Sequence, residues 1–201
     1  MDPNFILQHN EFLDSLSNNP GILIENNSIE IAVGMNKPHK NGNGWSAPVL
    51  RIYQSIKSLK ILWRYNPDGI NLEFLDIEKD FVEGEFKLVD YDKYIEAIQP
   101  DWLMEEFNLR LDKKFRVLYP VEELNGEYIV CINSQNFNEL VYLDLDNSTV
   151  SVIQADFETY LKCGYRHNFF YGWQKALFLD SKHFSRILNH YLPQLFPKNF
   201  K

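Results

Sequence analysis

Residues that build disulfide scaffolds, metal sites and phosphate-binding surfaces are scarce in this sequence. Its 201 residues include two cysteines, Cys131 and Cys163, which is too few for a disulfide framework and typical of a reducing compartment. Basic residues number 20 against 28 acidic ones, and the formal net charge is −8. Because proteins hold nucleic acid with clustered Lys and Arg, we expect no direct binding of nucleic acid.

Long apolar runs are missing as well. No run reaches the length of a membrane-spanning helix, and the opening MDPNFILQHNEFLDSL has neither the basic region nor the long apolar core of a signal peptide. These absences favour a cytoplasmic protein with no membrane partner. The apolar content of 45 % and the aromatic content of 15 % argue against disorder, and the length favours a single domain over residues 1–201.

The first third of the chain is predicted to combine a helix with two hairpins. Apolar residues at helical spacing from Phe5 to Leu16 predict a helix, and alternation on both sides of Asn26 and Asn27 predicts a tight turn. Residues 1–35 are therefore expected to form an N-terminal helix and hairpin. The segments on both sides of NPDG, at 66–69, also alternate, which predicts a second hairpin.

The second half of the chain is predicted to be mainly strand. Four segments suit strands, with tight-turn signals between them: KFRVLYP, EYIVCIN, ELVYLDL and STVSVI. A helix over DFETYLKCG is expected to end at Gly164, and a closing helix over 181–196 to end at Pro193 and Pro197. Strands joined by tight turns indicate an α+β fold, in which helices pack on one face and at the ends of an antiparallel twisted sheet.

The stretch DLDNST, which starts at Asp144, resembles the start of a calcium loop. An EF-hand loop needs Gly at its sixth position and Glu at its twelfth. The residues there are Thr149 and Ala155. Because Asx side chains bond their own backbone and tolerate left-handed geometry, Asp146 and Asn147 are predicted to form a hairpin turn instead.

Cysteine and histidine spacing offers one weak candidate for catalysis. Cys163 and His167 are four residues apart, so a Cys–His nucleophile stays an alternative to a structural cysteine beside a partly exposed histidine. A structural zinc site needs four ligands, and no second close pair of cysteines or histidines exists. His183 and His190 are two helical turns apart, about 10 Å by the helical rise, too far to share a metal. We expect no metal and no cofactor.

Catalytic sequence motifs are not found either. The chain has no P-loop ending, no G-x-S-x-G and no H-E-x-x-H. Two pairs of adjacent acidic residues are expected to be solvated: Glu105 and Glu106, and Glu122 and Glu123. The sequence therefore favours a protein that is not an enzyme.

One segment carries a concentration of negative charge. Its acidic residues are interrupted by a single base, Lys79, and are candidates for binding a partner: Glu73, Asp76, Glu78, Asp80, Glu83 and Glu85. One interpretation is a solvated edge hairpin that its charges keep from aggregating. The other is a negative surface for a basic protein, since opposite fields speed encounter.

The aromatic segment YRHNFFYGW, at 165–173, also has two interpretations. Five aromatic side chains in nine residues suit core packing around the preceding helix. They also suit an anchor patch for a protein interface.

The segment ELVYLDLDNSTVSVIQADFETYLKCGY resembles the closing hairpin and helix of the SMI1/KNR4 superfamily, also called SUKH. The matching strands are Val141–Leu145 and Thr149–Ile153, and the matching helix is Asp156–Leu161. The segment APVLRIYQSIKSLKILWRYNPDGI, with a helix predicted from Pro48 to Ile56, is similar to the family's earlier core. The resemblance covers about residues 45–165.

This resemblance implies a protein-binding role without catalytic residues. Bacterial members of the family are largely immunity proteins that neutralise secreted toxins, many of them nucleases, and fungal members regulate cell-wall synthesis. For this chain the resemblance implies a cognate toxin domain as partner, and an acidic protein suits a basic toxin. The alternative is a regulatory or scaffold module that binds a cellular protein and has no toxin partner.

Overall fold

The computed structural model describes most of the chain, with gaps that divide it into these ranges: 3–31, 52–53, 56–73, 75, 82–94, 96–115, 117–124, 126–178 and 187–197. Its strands are β1 (Ile22–Ile31), β2 (Ile56–Tyr65), β3 (Glu83–Leu88), β4 (Leu118–Leu124), β5 (Tyr128–Asn133), β6 (Leu140–Asp144) and β7 (Thr149–Ile153). They form one seven-stranded antiparallel sheet in chain order, so each strand neighbours the next. The α+β class is confirmed.

Helical segments precede, interrupt and follow this sheet. The α-helices are α1 (Pro3–Ser17), α2 (Tyr91–Tyr94), α3 (Pro100–Phe107), α4 (Phe157–Arg166) and α5 (Leu192–Leu195). The described residues also form two 3₁₀ turns, Lys113–Phe115 and Lys175–Leu177, and one π turn, Ile187–Tyr191. Every helix of the described residues is too short or too polar to cross a lipid bilayer.

The chain divides into two compact units. The first unit contains residues 28–59 and 86–161, and the second contains residues 2–27, 60–85 and 162–201. Strands β1, β2 and β3 each contribute residues to both units. A single domain over residues 1–201 stays a prediction.

In the first unit, β5 and β6 are buried along their whole lengths. Cys131 of β5 and Val141 of β6 are cross-strand partners and belong to a core cluster that includes Leu103 of α3. On the opposite face, Tyr128 stacks on Tyr142 with ring centroids 5.1 Å apart. Tyr160 of α4 and Tyr128 donate to the same Glu122 carboxylate, so described helices contact both faces and the prediction of helices on one face is wrong for these strands. Their nearly continuous apolar sequences, YIVCIN and LVYLD, are typical of strands buried on both faces.

The β6–β7 hairpin confirms the predicted turn. Asp144, the last residue of β6, accepts hydrogen bonds on Oδ1 from the backbone N and from Nδ2 of Asn147, both at 3.0 Å. Ser148 adopts the left-handed backbone conformation, with φ of 52°. The strand predicted at 141–145 is observed over Leu140–Asp144, the strand predicted at 149–153 is β7, and Asp156 caps the start of α4 by accepting from the Thr159 amide.

Two predicted hairpins are wrong. Residues 22–31 form one strand across Asn26 and Asn27, because the neighbouring ten-residue strand β2 offers a long hydrogen-bonded edge. In the strand predicted over residues 70–77, residues 70–73 and 75 form no strand, and residues 74, 76 and 77 lie outside the described residues. The Tyr65 hydroxyl donates to the Ile70 carbonyl at 2.5 Å and accepts from the Leu72 amide at 3.1 Å. This side chain occupies backbone groups that a second strand would have used, and β3 takes that place beside β2.

Two predicted helix ends are also wrong. Gly164 lies inside α4, where a β-carbon would stand 2.2 Å from Phe169 Cε1, so the position needs a small residue to admit that ring. Pro193 lies in the first turn of α5, where its missing N–H is tolerated. Within the helix predicted for 181–196, residues 187–195 are helical and 181–186 lie outside the described residues. Most of the helix predicted from Pro48 to Ile56 also lies outside them, although residues 52–53 are helical and Ile56 begins β2.

The aromatic segment at 165–173 packs inside the second unit, which confirms the core interpretation. Phe169 and Trp173 have no exposed surface, and their rings meet edge to face at 5.7 Å. The backbone of this segment lies against β3, where the Glu85 amide donates to the Phe169 carbonyl at 2.8 Å. The Trp63 indole N–H, from β2, donates to the Asn168 carbonyl at 2.8 Å. The segment is therefore bonded to two strands.

Gly84→Ala is expected to destabilise the protein by about 1–3 kcal/mol, the usual cost of forcing atoms into a packed core. An added β-carbon would stand 2.1 Å from Trp63 Nε1 and 2.7 Å from the Phe169 carbonyl oxygen. Urea denaturation measures the change in the free energy of unfolding. Gly126→Asn is the control for a glycine replaced at an open position, since nothing lies within 4 Å of it and its φ of 88° costs Asn less than other residues. Equal stability of the Gly84→Ala and parent proteins would contradict the close approach.

Candidate functional site

The acidic segment is described in part. Glu73 is exposed; its amide donates to Gln194 Oε1 at 3.2 Å, and its carbonyl oxygen lies 2.9 Å from His190 Nε2. Asp76, Glu78 and Asp80 lie outside the described residues. The structure therefore anchors the first member of the segment beside the C-terminal helical turns.

The last two members of the segment belong to β3. Glu83 and Glu85 are partly buried there. Glu83 faces Arg64 of β2 at 3.5 Å, and the same guanidinium lies 3.2 Å from Glu25 of β1. Because Arg64 already balances this negative charge, Glu83 is less available to a basic partner than Glu73.

An open groove lies within the second unit. We call it the acidic groove; its volume is 540 Å³ and it is lined by Glu11, Asp14, Ser15, Asn18, Asn19, Pro20, Ile70, Gln194, Leu195, Phe196 and Pro197. One wall is the last part of α1 and the turn after it, and the other is α5 and the residues that follow. The groove combines apolar surface with two carboxylates.

Negative charge collects on the α1 wall. Glu11 and Asp14 are exposed and three residues apart, so they share one helix face. Within the described part of the chain, neither carboxylate has a basic partner. The C-terminal end of a helix carries partial negative charge, and the last turn of α1 contains no basic residue. Both effects favour a cation.

One hydrogen bond joins the two walls of the groove, and two more hold the turn after α1. Asn19 donates from Nδ2 to the Leu195 carbonyl at 2.5 Å, and its Oδ1 accepts from the Gly21 amide at 3.0 Å. Asn66 donates from Nδ2 to the Pro20 carbonyl at 2.9 Å. The amide side chain of Asn19 therefore serves the scaffold, and the carboxylates remain for a ligand.

The groove was not predicted from the sequence. Its residues come from three separate segments, and no periodic pattern connects them. One local signal was present: Asp14 falls in the last turn of α1, where the helix dipole favours basic residues.

Glu122 was expected to be solvated, and this expectation is wrong. It has no exposed surface, and its carboxylate accepts hydrogen bonds from the hydroxyls of Tyr128, at 3.0 Å, and Tyr160. Glu123 is partly buried, and burial alone would raise the pKa of its carboxyl group, but the hydrogen bond and charge of Lys87, at 2.8 Å, together with Lys93, lower it. Buried carboxylates need such donors. Glu122 is therefore part of the core of the first unit.

No side-chain hydrogen bond joins Cys163 and His167 in the described structure, and Nδ1 of His167 has no hydrogen-bond partner there. Their bond is between backbone atoms, from the His167 amide to the Cys163 carbonyl at 2.9 Å. Burial and the neighbouring Arg166 lower the pKa of His167, while a backbone hydrogen bond opposes them. Burial raises the pKa of the Cys131 thiol far above its usual value. Among the described residues, no cluster of three or more His, Cys, Asp or Glu side chains could hold a metal; His183 lies outside them.

A buried histidine lies in α1. His9 has no exposed surface, its Nδ1 lies 3.0 Å from the Tyr165 hydroxyl, and its Nε2 has no hydrogen-bond partner in the described structure. Burial lowers the pKa of this imidazole to about 4. His9 is therefore neutral at pH 7.

No family model, no curated protein and no solved structure matches this chain. The resemblance to the SMI1/KNR4 superfamily therefore rests on the residues quoted above and stays a prediction.

His9 predicts a pH dependence of stability. The pKa of the imidazole in the folded protein, about 4, is below its usual value of 6.5. Between these two pKa values the imidazole is protonated in the unfolded chain and neutral in the folded protein. Stability therefore falls as pH decreases through this window. The loss is on the order of 2–3 kcal/mol. The free energy of unfolding is measured by urea denaturation at pH 7 and at pH 4.5. His9→Asn should remove most of the difference between the two values.

Tyr165→Phe is the control, since it removes the hydroxyl and keeps the imidazole, and should retain the pH dependence. An unchanged dependence in His9→Asn would assign the effect to other groups.

Proposed function

We propose that this chain is a toxin-neutralising immunity protein that binds a basic protein toxin domain and blocks its active site. The observation that carries the proposal is the acidic groove, in which Glu11 and Asp14 have no basic partner among the described residues. An open groove with apolar surface and unbalanced charge suits a protein partner. The resemblance to SMI1/KNR4 proteins supports the toxin as that partner.

Charge supports a basic partner over a neutral one. The net charge of −8 gives the protein a negative field, and opposite fields raise association rates and exclude wrong partners. Nucleases are frequent among candidate toxins and carry basic surfaces because they bind phosphates. An acidic inhibitor would compete for that surface and act by occupying it, without making or breaking bonds.

Co-expression with the product of the adjacent gene tests the proposal. Cells that make the toxin together with this protein are expected to survive, and the two proteins should elute as one complex in gel filtration. Survival needs the complex, because the protein acts by covering the toxin. Cell death, with the proteins eluting separately, would contradict the proposal. A stable complex with a harmless cellular protein would instead favour a regulatory module.

The acidic segment is expected to speed association with the partner. Replacing Glu73, Asp76, Glu78 and Asp80 with Ser should lower the association rate constant, measured by stopped flow, about tenfold at low salt. The dissociation rate constant should change less. The effect should shrink at 0.5 M salt, where screening acts within a few ångströms.

The control has the same change of net charge at another place. Glu96, Asp101, Glu105 and Glu106 are exposed, and replacing all four with Ser should slow association less. Equal slowing by both sets would mean that only the net charge matters.

A further inference from the structure

We infer that the acidic groove binds an arginine side chain of the partner protein. This inference rests on the proposed function, since it names the group of the basic partner that enters the protein. The occupant is an arginine in an exposed segment of that partner. It would lie with its aliphatic stem on the apolar surface and its guanidinium at the carboxylates.

The carboxylates select a cation. Glu11 and Asp14 stand on one face of α1 with no basic partner in the described part of the chain, and the helix end adds partial negative charge. A second copy of this chain would bring a net charge of −8 to the same place. Charge complementarity therefore favours a basic partner over self-association.

The apolar surface selects a long side chain over a simple ion. Pro20 and Pro197 are exposed, Ile70 is partly buried, and all three line the groove. Arg and Lys lay their methylene stems along apolar surface while the charged end stays at its edge. A metal ion would leave this part of the groove uncovered.

Arginine fits better than lysine. Two carboxylates three residues apart on a helix have β-carbons about 5–6 Å apart. A guanidinium has five donors in a rigid plane and can bond more than one carboxylate, whereas an ammonium acts as a point charge. The groove should therefore discriminate between the two cations.

The groove needs little rearrangement before it binds. Asn19 and Leu195 are joined across it at 2.5 Å, and Gln194 is held through the amide of Glu73 at 3.2 Å and its own bond to the His190 carbonyl at 3.0 Å. Preformed sites avoid the entropy cost of ordering side chains on binding. An isolated arginine peptide can therefore serve as a probe.

NMR titration of the full chain tests the inference. The probes are the blocked peptides Gly-Gly-Xaa-Gly-Gly, with arginine, lysine or citrulline at Xaa; citrulline has the shape of arginine without its charge. Arginine should shift the amide signals of Ser15, Asn19 and Leu195, lysine should bind at least threefold more weakly, and citrulline should not bind. Equal binding of arginine and citrulline, or shifts elsewhere only, would overturn the inference.

Paired variants locate the charge. Glu11→Gln with Asp14→Asn should weaken arginine binding about tenfold, through the loss of both charged contacts. Glu105→Gln with Glu106→Gln changes the net charge equally on α3 and should leave binding within twofold. All four side chains are exposed, and thermal denaturation confirms that the variants fold. Equal weakening by both pairs would overturn the inference.

The inference and the proposed function fail separately. A toxin complex that forms normally with the Glu11→Gln and Asp14→Asn variant, together with no arginine binding by the parent protein, would contradict the claim that the groove binds arginine. The proposed function would then still stand. Arginine bound in the groove, with no toxin complex, would support the groove and remove the proposed function.

Discussion

The second unit depends on one constraint, the close approach of the aromatic segment at 165–173 to Gly84 of β3. A side chain at this position would overlap Trp63 and the Phe169 carbonyl. Without one, the Phe169 carbonyl reaches the Glu85 amide, and the Trp63 indole reaches the Asn168 carbonyl. A buried tryptophan needs such a partner for its N–H. One missing side chain thus allows two backbone carbonyls to be satisfied.

Aromatic packing connects the Gly84 region to the acidic groove. The Trp63 ring meets Phe196 edge to face, with centroids 5.7 Å apart. Phe196 lines the acidic groove, and the adjacent Leu195 is bonded to Asn19 after α1. The core therefore positions the apolar surface, and the end of α1 supplies the charge. The rigid part of the groove and its charged part come from different segments.

Sequence patterns predicted the helices and strands best where neighbouring residues alone determine the local structure. Strands β5, β6 and β7 follow apolar patterning, and the turn after Asp144 follows local Asx chemistry. Prediction failed where a side-chain hydrogen bond decides the structure, because the apolar pattern of the sequence does not show such a bond. The Tyr65 hydroxyl replaced a strand after NPDG, and Glu122 is buried because Tyr128 and Tyr160 donate to it.

The candidate site was the least predictable part, for the same reason. The acidic segment was visible as a run of charge, but the run does not reveal that Arg64 balances Glu83 while Glu73 lies beside Gln194. Glu11 and Asp14 gained significance only from the residues of α5 on the opposite wall. The position of a charge, more than its number, decides which carboxylates can meet a partner.

Hydrogen–deuterium exchange of the toxin complex tests the central claim most directly, because it locates the covered surface without assuming it. Partner binding should slow exchange at the end of α1, in residues 11–20, and around α5, in residues 192–197. Slowing confined to the β4–β7 strands, with both groove walls exchanging as in the isolated protein, would contradict the account.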